Sequence, residues 1–252
     1  MIKLEKQNGI ATVTLSRAKK QNALSFEMFV ELNKAIKNIK RDRSIRAVVI
    51  NGDGKHFCAG MDLMELASGN GETAADADVN ALADTIARFK GPVIAAVNGH
   101  AVTAGFELAL ACDVIIASKK ARFADTHARV GILPGWGLSQ RLPRLIGLSR
   151  AKELSFTGQP IYGEQAVAWG LANHVTEPEN LLSKAEELAE HMCACVPHIL
   201  QQYKVLIDTG YNMHLNEALA WENREAIISA EKATGDLIAS RRAAVFDKGR
   251  SD

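Results

Sequence analysis

Three places in the 252-residue sequence set glycine beside a polar residue that its neighbours do not explain. The first is KHFCAGMDL, residues 55–63. Gly60 permits backbone geometry that a side chain would forbid, and so leaves the Met61 N–H free to point into a cavity. Asp62 is the expected cap of a short helix from Leu63 to Ala67. The second place is VNGHAVTAGFELALACD, residues 97–113, in which a strand ends at Val97, a loop carries Gly99 and a helix opens near Ala104. N–H groups at a helix start lack partners within the helix and sit at its positive end, so they suit an oxygen that gains negative charge.

Glu107 lies one turn into that helix, on the face of Ala104 and Ala111, among Phe106, Leu108, Ala109 and Leu110. A carboxylate in such company is expensive to bury without a partner. Burial raises a carboxyl pKa and suits the group to acid–base work. A glutamate that reaches solvent, or pairs with a hidden arginine, is the plainer alternative. The third place is FADTHARVGILPGWGLSQRLPRLIG, residues 123–147. It sets His127 between Asp125 and Arg129, either of which could tether the ring, and follows with Pro134-Gly135-Trp136-Gly137, a tight turn before a helix. Two separate turn or helix starts, each contributing one N–H, would make an oxyanion hole for an acyl group. Removing one such donor typically costs about 2.7–4 kcal/mol of transition-state stabilisation. No G-x-S-x-G elbow and no glycine-rich run ending in Lys-Ser or Lys-Thr is present.

The elements that must position these residues are legible from periodicity. IKLEKQ and IATVTLS flank Asn8-Gly9, the strongest short hairpin signal. Phe29, Leu32, Ile36 and Ile39 recur at helical spacing between Ser25, the expected N-cap, and Arg41. The β-branched runs 46–52, 93–97 and 113–118 read as buried strands, with helices over 74–90 and 104–112. Strands alternating with helices predict parallel βαβ units with both sheet faces covered. After about residue 145 strand signals nearly vanish, and helices are expected over 149–157, 163–169, 180–194, 197–208, 214–230 and 233–244.

Composition bounds the rest. Thirty Lys and Arg against 29 Asp and Glu leave a net charge of +1, which argues against a general nucleic-acid binder. Cys58, Cys112, Cys193 and Cys195 are too few and irregular for a disulfide framework, and the Cys193-Ala-Cys195 pair has no second pair to complete a metal site. MIKLEKQNG has no apolar signal core, and the most apolar stretch, 93–117, carries Asn98, His100, Glu107 and Asp113. The expectation is a cytoplasmic, reducing setting with no metal, no nucleic acid and no membrane.

Taken together, Asn22-Ala23-Leu24-Ser25, Phe57-Cys58-Ala59-Gly60-Met61-Asp62-Leu63, Ala96-Val97-Asn98-Gly99-His100-Ala101, Glu107-Leu108-Ala109 with Cys112-Asp113, and Pro134-Gly135 through Gln140-Arg141-Leu142 resemble the enoyl-CoA hydratase/isomerase (crotonase) superfamily over essentially the whole chain. The resemblance implies an α/β fold with a crotonase-like ββα spiral core and a C-terminal α-helical trimerisation region, here 1–195 and 196–252, joined without a flexible linker. It implies an acyl-CoA thioester as substrate, no cofactor beyond the coenzyme A that the substrate carries, and a homotrimer or a dimer of trimers. Met61 and Ala104 would be the two backbone donors, Ala104 standing where hydratases usually have glycine. Ala23, Ala59, Met61, Asp62, Leu63 and Met64 would line the nucleotide and pantetheine path. Trp136, in place of a small residue, would reshape the acyl pocket, and Arg241 stands where a CoA-contacting lysine often sits. Glu107 matches the first of the two hydratase glutamates, and the second falls on His127. The expected reaction is syn hydration of a 2-enoyl-CoA, with Glu107 activating water and His127 as the second acid/base. Isomerisation, decarboxylation, retro-Claisen C–C cleavage and a non-catalytic acyl-CoA-binding scaffold are the alternatives that the missing second glutamate leaves open.

Overall fold

Asn8 and Gly9 both take left-handed backbone, with φ of 53° and 81°. They join strand β1 (Ile2–Gln7) to its antiparallel neighbour β2 (Ile10–Leu15), with Gln7 opposite Ile10. This is the turn whose twist matches that of the flanking strands. The computed structural model describes residues 1–68, 80–233, 235, 238, 239, 241 and 242. Helix α1 (Phe26–Arg41) begins where Ser25 Oγ accepts the Met28 N–H at 3.1 Å. It buries Met28, Phe29, Leu32, Ile36 and Ile39 along one stripe.

Strand β3 (Ala47–Gly52) follows, then the short helix α2 (Leu63–Ser68), helix α3 (Asn80–Ala87) and strand β4 (Val93–Val97). The expected helix 74–90 is thus seen in its second half, and residues 74–79 lie outside the described residues. Next come β5 (His100–Val102), α4 (Ala104–Leu110), β6 (Val114–Ser118), β7 (Arg122–Ala124), α5 (His127–Val130), α6 (Leu138–Ile146) and α7 (Leu148–Thr157). The unit closes with β8 (Ile161–Tyr162), α8 (Gly163–Ala168), β9 (His174–Thr176) and α9 (Leu181–Cys193).

Strands β2, β3, β4, β6 and β9 run parallel in a six-stranded sheet of order β1-β2-β3-β4-β6-β9. Both faces are covered, as the continuous apolar runs require. Val48, Ile50, Val93, Ala95 and Val97 point into one core with α1, α3, α4 and α6, while their alternate neighbours Ala47, Val49, Ile94 and Ala96 pack on Leu181, Ala185, Ala189 and Cys193 of α9. A second sheet, β5-β7-β8, differs from the sequence reading, which placed a loop over 98–103 and nearly no strand after 145. Its strands have two or three residues each, too few to show an alternating pattern. Through Ala101↔Phe123 this small sheet ties the start of α4 to the segment that carries His127.

The chain divides into two compact units, Met1–Leu200 and Gln201–Asp252. The second holds most of α10 (Pro197–Gly210) and all of α11 (Leu215–Lys232), helices that bury none of their residues. Of the expected helix 233–244, residues 234, 236, 237, 240, 243 and 244 lie outside the described residues. Among the described residues no helix is long and apolar enough to cross a membrane.

Candidate active site

Gly60 has φ of +102°, and a Cβ placed there would stand 3.0 Å from Val102 O and 3.8 Å from Ala104 N. Gly105 approaches still more closely, since a Cβ on it would lie 2.1 Å from Cys58 O. These two glycines let the backbone of 57–61 lie directly against the start of α4. Cys58 N–H donates to His100 O at 2.8 Å and Val102 N–H to Cys58 O at 3.0 Å. On the other side Leu24 N–H donates to Gly60 O and Asp62 N–H to Leu24 O, at 2.8 and 2.9 Å. This bridge uses the groups on either side of the Met61 N–H and leaves that N–H turned away from it. Ala104 is the first residue of α4, so its N–H has no acceptor within the helix. Neither N–H donates to another described residue. Two backbone donors without partners among the described residues therefore stand on adjoining segments.

Asp62 takes the expected capping position, accepting the Met64 N–H at 3.1 Å. It is also held by Arg17 at 2.8 Å, a guanidinium that reaches Ala23 O at 3.0 Å as well. The arginine sets Ala23 and the start of α2 in one place and holds the Asp62 carboxyl below the ordinary carboxylate range. Leu63 and Met64 are exposed, whereas Ala59 and Met61 are half-buried.

Glu107 neither reaches solvent nor meets an arginine. It is 2% exposed, and its Oε1 accepts the N–H groups of Trp136 at 2.7 Å and Leu138 at 3.2 Å. Leu138 opens α6, so the carboxylate sits at the positive end of a nine-residue helix. Arg141 of the same helix returns to Leu110 O, fixing the far end of α4. Trp136 thus contributes its backbone to Glu107, while its ring is buried 5.8 Å from that of Phe29. Glu107 Oε2 faces His127 Nε2 at 3.5 Å.

Of the two neighbours that could tether His127, Asp125 does so. Its Oδ1 accepts the His127 backbone N–H at 3.1 Å and meets Nδ1 at 2.7 Å. Arg129 points elsewhere, to Thr157 O. Phe106 of α4 packs on Phe123 of β7 with ring centroids 5.4 Å apart, which holds the two carriers of the cluster together. Asp125, His127 and Glu107 are each under 5% exposed. Burial works against a charge on His127, but the hydrogen bonds to Asp125 and Glu107 and their negative charge overcome it, pushing the imidazole up to about 9. Burial likewise opposes charge on Asp125, and the bonds from His127 and Ser155 outweigh it, so its carboxyl stays below the usual range. Asp125, a carboxylate, can only accept, so Nδ1 carries a proton and Nε2 is left facing Glu107. The three side chains form one buried line, Asp125 to His127 to Glu107, in which Nε2 is the ring nitrogen turned toward Glu107.

Sequence reasoning passed over two members of this site. Thr103 precedes the Ala104 donor with φ of 53° and ψ of −112°, a conformation that only a glycine would have signalled. Thr126 meets it, hydroxyl to hydroxyl, at 2.5 Å. Arg241 belongs to the other unit, where it is an exposed helical residue. Among the described residues no group of three His, Cys, Asp or Glu side chains is arranged to hold a metal.

Comparison with known proteins gives one consistent result. The family described as enoyl-CoA hydratase/isomerase matches residues 5–236. A probable peroxisomal enoyl-CoA hydratase 1 of Arabidopsis thaliana is 40% identical over 227 residues, covering 90% of this chain and 85% of that one. The short-chain-enoyl-CoA hydratase of Clostridium acetobutylicum is 38% identical over 225 residues, covering 87% and 85%. The crystal structure of an enoyl-CoA hydratase from Bacillus anthracis superposes with a TM-score of 0.87 at 32% identity, over 98% of this chain and 96% of that one.

Proposed function

This chain belongs to the enoyl-CoA hydratase/isomerase family and has its α/β fold with C-terminal helices, and we propose that within the family it is an enoyl-CoA hydratase. The substrate class, an acyl-CoA thioester, follows from the family. The observation that carries the finer reading is the buried line from Asp125 through His127 to Glu107. Hydration needs a base to activate water and an acid to protonate the enolate. Here a carboxylate faces an imidazolium whose pKa of about 9 keeps its proton at neutral pH. A hydrolytic retro-Claisen reaction would need the imidazole neutral, as the base, which two flanking carboxylates oppose.

In this reading the Met61 and Ala104 N–H groups hold the thioester oxygen. Glu107 Oε2 takes a proton from water as the water oxygen bonds to C3; the electrons of the C2=C3 bond form a C1=C2 bond, and the thioester C=O electrons move onto the carbonyl oxygen to make an enolate. Backbone donors aimed at the developing charge stabilise it without reorganisation. C2 then takes the Nε2 proton of His127, the thioester carbonyl re-forms, and OH and H have been added. The proton now on Glu107 passes back to Nε2, 3.5 Å away, and resets the pair. Asp125 keeps the ring in the tautomer that presents Nε2. Arg17, through Asp62 and Ala23, fixes the path proposed for the nucleotide and pantetheine.

The test is a panel of crotonyl-CoA, a 3-enoyl-CoA, a malonyl-type CoA and a β-diketone. The expected product is 3-hydroxybutyryl-CoA from the first, with the other three turned over at least about tenfold more slowly. Consumption of any of the others at a higher rate than crotonyl-CoA overturns the reading. The proposed assembly is a homotrimer or a dimer of trimers, supported by the exposed Val205, Ile207, Leu215, Leu219, Ile227 and Ile228 on α10 and α11. Light scattering should return three or six subunits, and a monomer at micromolar concentration would remove this part. Cys58 and Cys193 are buried thiols, which fits a reducing compartment, and the cytoplasmic setting expected above is kept as part of the proposal.

A further inference from the structure

Thr103 is the one β-branched residue among the four non-glycine residues described with positive φ; the others are Asn8, Gln21 and Asn22. Its φ of 53° and ψ of −112° put it where a Cβ meets the neighbouring peptide groups, a conformation that persists only when the surroundings over-determine it. Every polar group of the residue is in fact engaged. Thr103 N–H donates to Ala124 O at 3.0 Å, Thr103 O accepts the Glu107 N–H at 2.9 Å, and Oγ1 meets Thr126 Oγ1 at 2.5 Å. The peptide bond that follows this residue is the one whose N–H belongs to Ala104, so ψ of Thr103 sets where that N–H points. Thr126 is the residue before His127, and its carbonyl accepts the Arg129 and Val130 N–H groups, which fixes it on the short helix that bears the imidazole.

We propose that the Thr103–Thr126 hydroxyl pair is a latch that holds the Ala104 N–H in line for the enolate oxygen and ties that donor to the helix of the proton-bearing His127. Both threonines are positioning residues. The inference rests on the reading of Met61 and Ala104 as the enolate donors, but not on hydration being the reaction. The strain at Thr103 gives the latch its purpose: without the hydroxyl bond the residue relaxes toward ordinary backbone and swings the Ala104 N–H away. Gly60 is close enough to feel that movement, because a Cβ on it would stand 3.6 Å from Thr103 Cβ.

The experiment compares affinity for acetoacetyl-CoA, whose C2 lies between two carbonyls and enolises readily, with that for butyryl-CoA, whose C2 proton is far less acidic, by titration calorimetry. In Thr126→Val, which keeps the shape and removes the hydroxyl, the ratio of the two affinities is expected to fall about tenfold, a fraction of the 10²–10³ that loss of a whole donor costs. Butyryl-CoA affinity stays within about twofold, and the high-pH limb set by His127 stays in place. Thr126→Ser restores the ratio. Thr103→Val, which keeps the β-branched shape and its strain and lacks the hydroxyl, is the second variant should Thr126→Val fold poorly, and it also lowers the ratio. A ratio within twofold of the parent in both variants, a parallel fall of the two affinities, or no rescue by Thr126→Ser overturns the proposal. If the parent chain leaves crotonyl-CoA untouched while the ratio still falls in the variants, the hydratase reading fails and the latch stands.

Discussion

Replacing Glu107 by glutamine is expected to slow hydration of crotonyl-CoA by about 10²–10⁴-fold, the range for loss of a positioned general base. The substitution is a narrow one. Glutamine keeps an oxygen at the Oε1 position, where it goes on accepting the N–H groups of Trp136 and Leu138, so the turn before α6 stays in place. At the Oε2 position it puts an NH₂ group that cannot take a proton from water. That group also meets Nε2–H of His127 donor to donor, so the imidazolium loses one of the two partners that sustain it. Acyl-CoA binding is expected to stay within about twofold, because nothing on the Met61, Asp62 or Arg17 side of the site changes. Initial rates with crotonyl-CoA and titration calorimetry with butyryl-CoA check the two halves. Turnover that survives within tenfold removes Glu107 from the role of base.

Substituting His127 by glutamine is expected to cost about 10²-fold or more in kcat, again with modest change in KM, because the amide can occupy the site beside Asp125 but has no acidic proton to give. The pH profile carries the stronger signature. In the parent chain activity is expected to fall as pH rises through about 9, where His127 loses its proton. Asp125→Asn keeps an oxygen for Nδ1–H and removes the negative charge, so that limb moves down toward the ordinary imidazole value of about 6.5. A limb that stays at about 9 in Asp125→Asn rejects the assignment. The same linkage acts on stability. The folded pKa of His127 lies above the unfolded one, so its contribution is complete below about pH 6.5 and is lost as pH rises through about 9. Urea midpoints of the parent should therefore drop across that window, and those of His127→Gln should drop less.

The parts of the molecule that could be read from the sequence are those whose cause is local. Asn8-Gly9 made the hairpin because two left-handed residues in a row are tolerated there, and Ser25 capped α1 because its hydroxyl reaches the Met28 N–H. The run 93–97 became a buried strand because β-branched and small residues fit a sheet covered on both sides. Glu107 stood out for the same kind of reason, as a charge inside an apolar helical turn. The short strands β5, β7, β8 and β9 left no comparable trace, since two or three residues cannot display a period and pairing partners decide their form.

What the sequence by itself determined was the layout: a parallel α/β core, a helical C-terminal portion, and the three segments that bring chemistry to it. Only the tertiary structure decided how those segments meet. The 2.7 Å contact of Asp125 with His127 and the 3.5 Å approach to Glu107 depend on how α4, α5 and α6 pack, and so does the seat of Glu107 on the start of α6. The rise of the His127 pKa to about 9 comes from that packing, since a buried imidazole keeps its proton above the ordinary range only with acceptors held beside it. Thr103 is the sharpest case: nothing about a threonine announces positive φ, and the conformation exists because Ala124, Thr126 and the first turn of α4 leave it no other. Periodicity and turn chemistry act over a few residues of chain, whereas donor direction and proton affinity are set by atoms that the fold brings within 3 or 4 Å from distant parts of it.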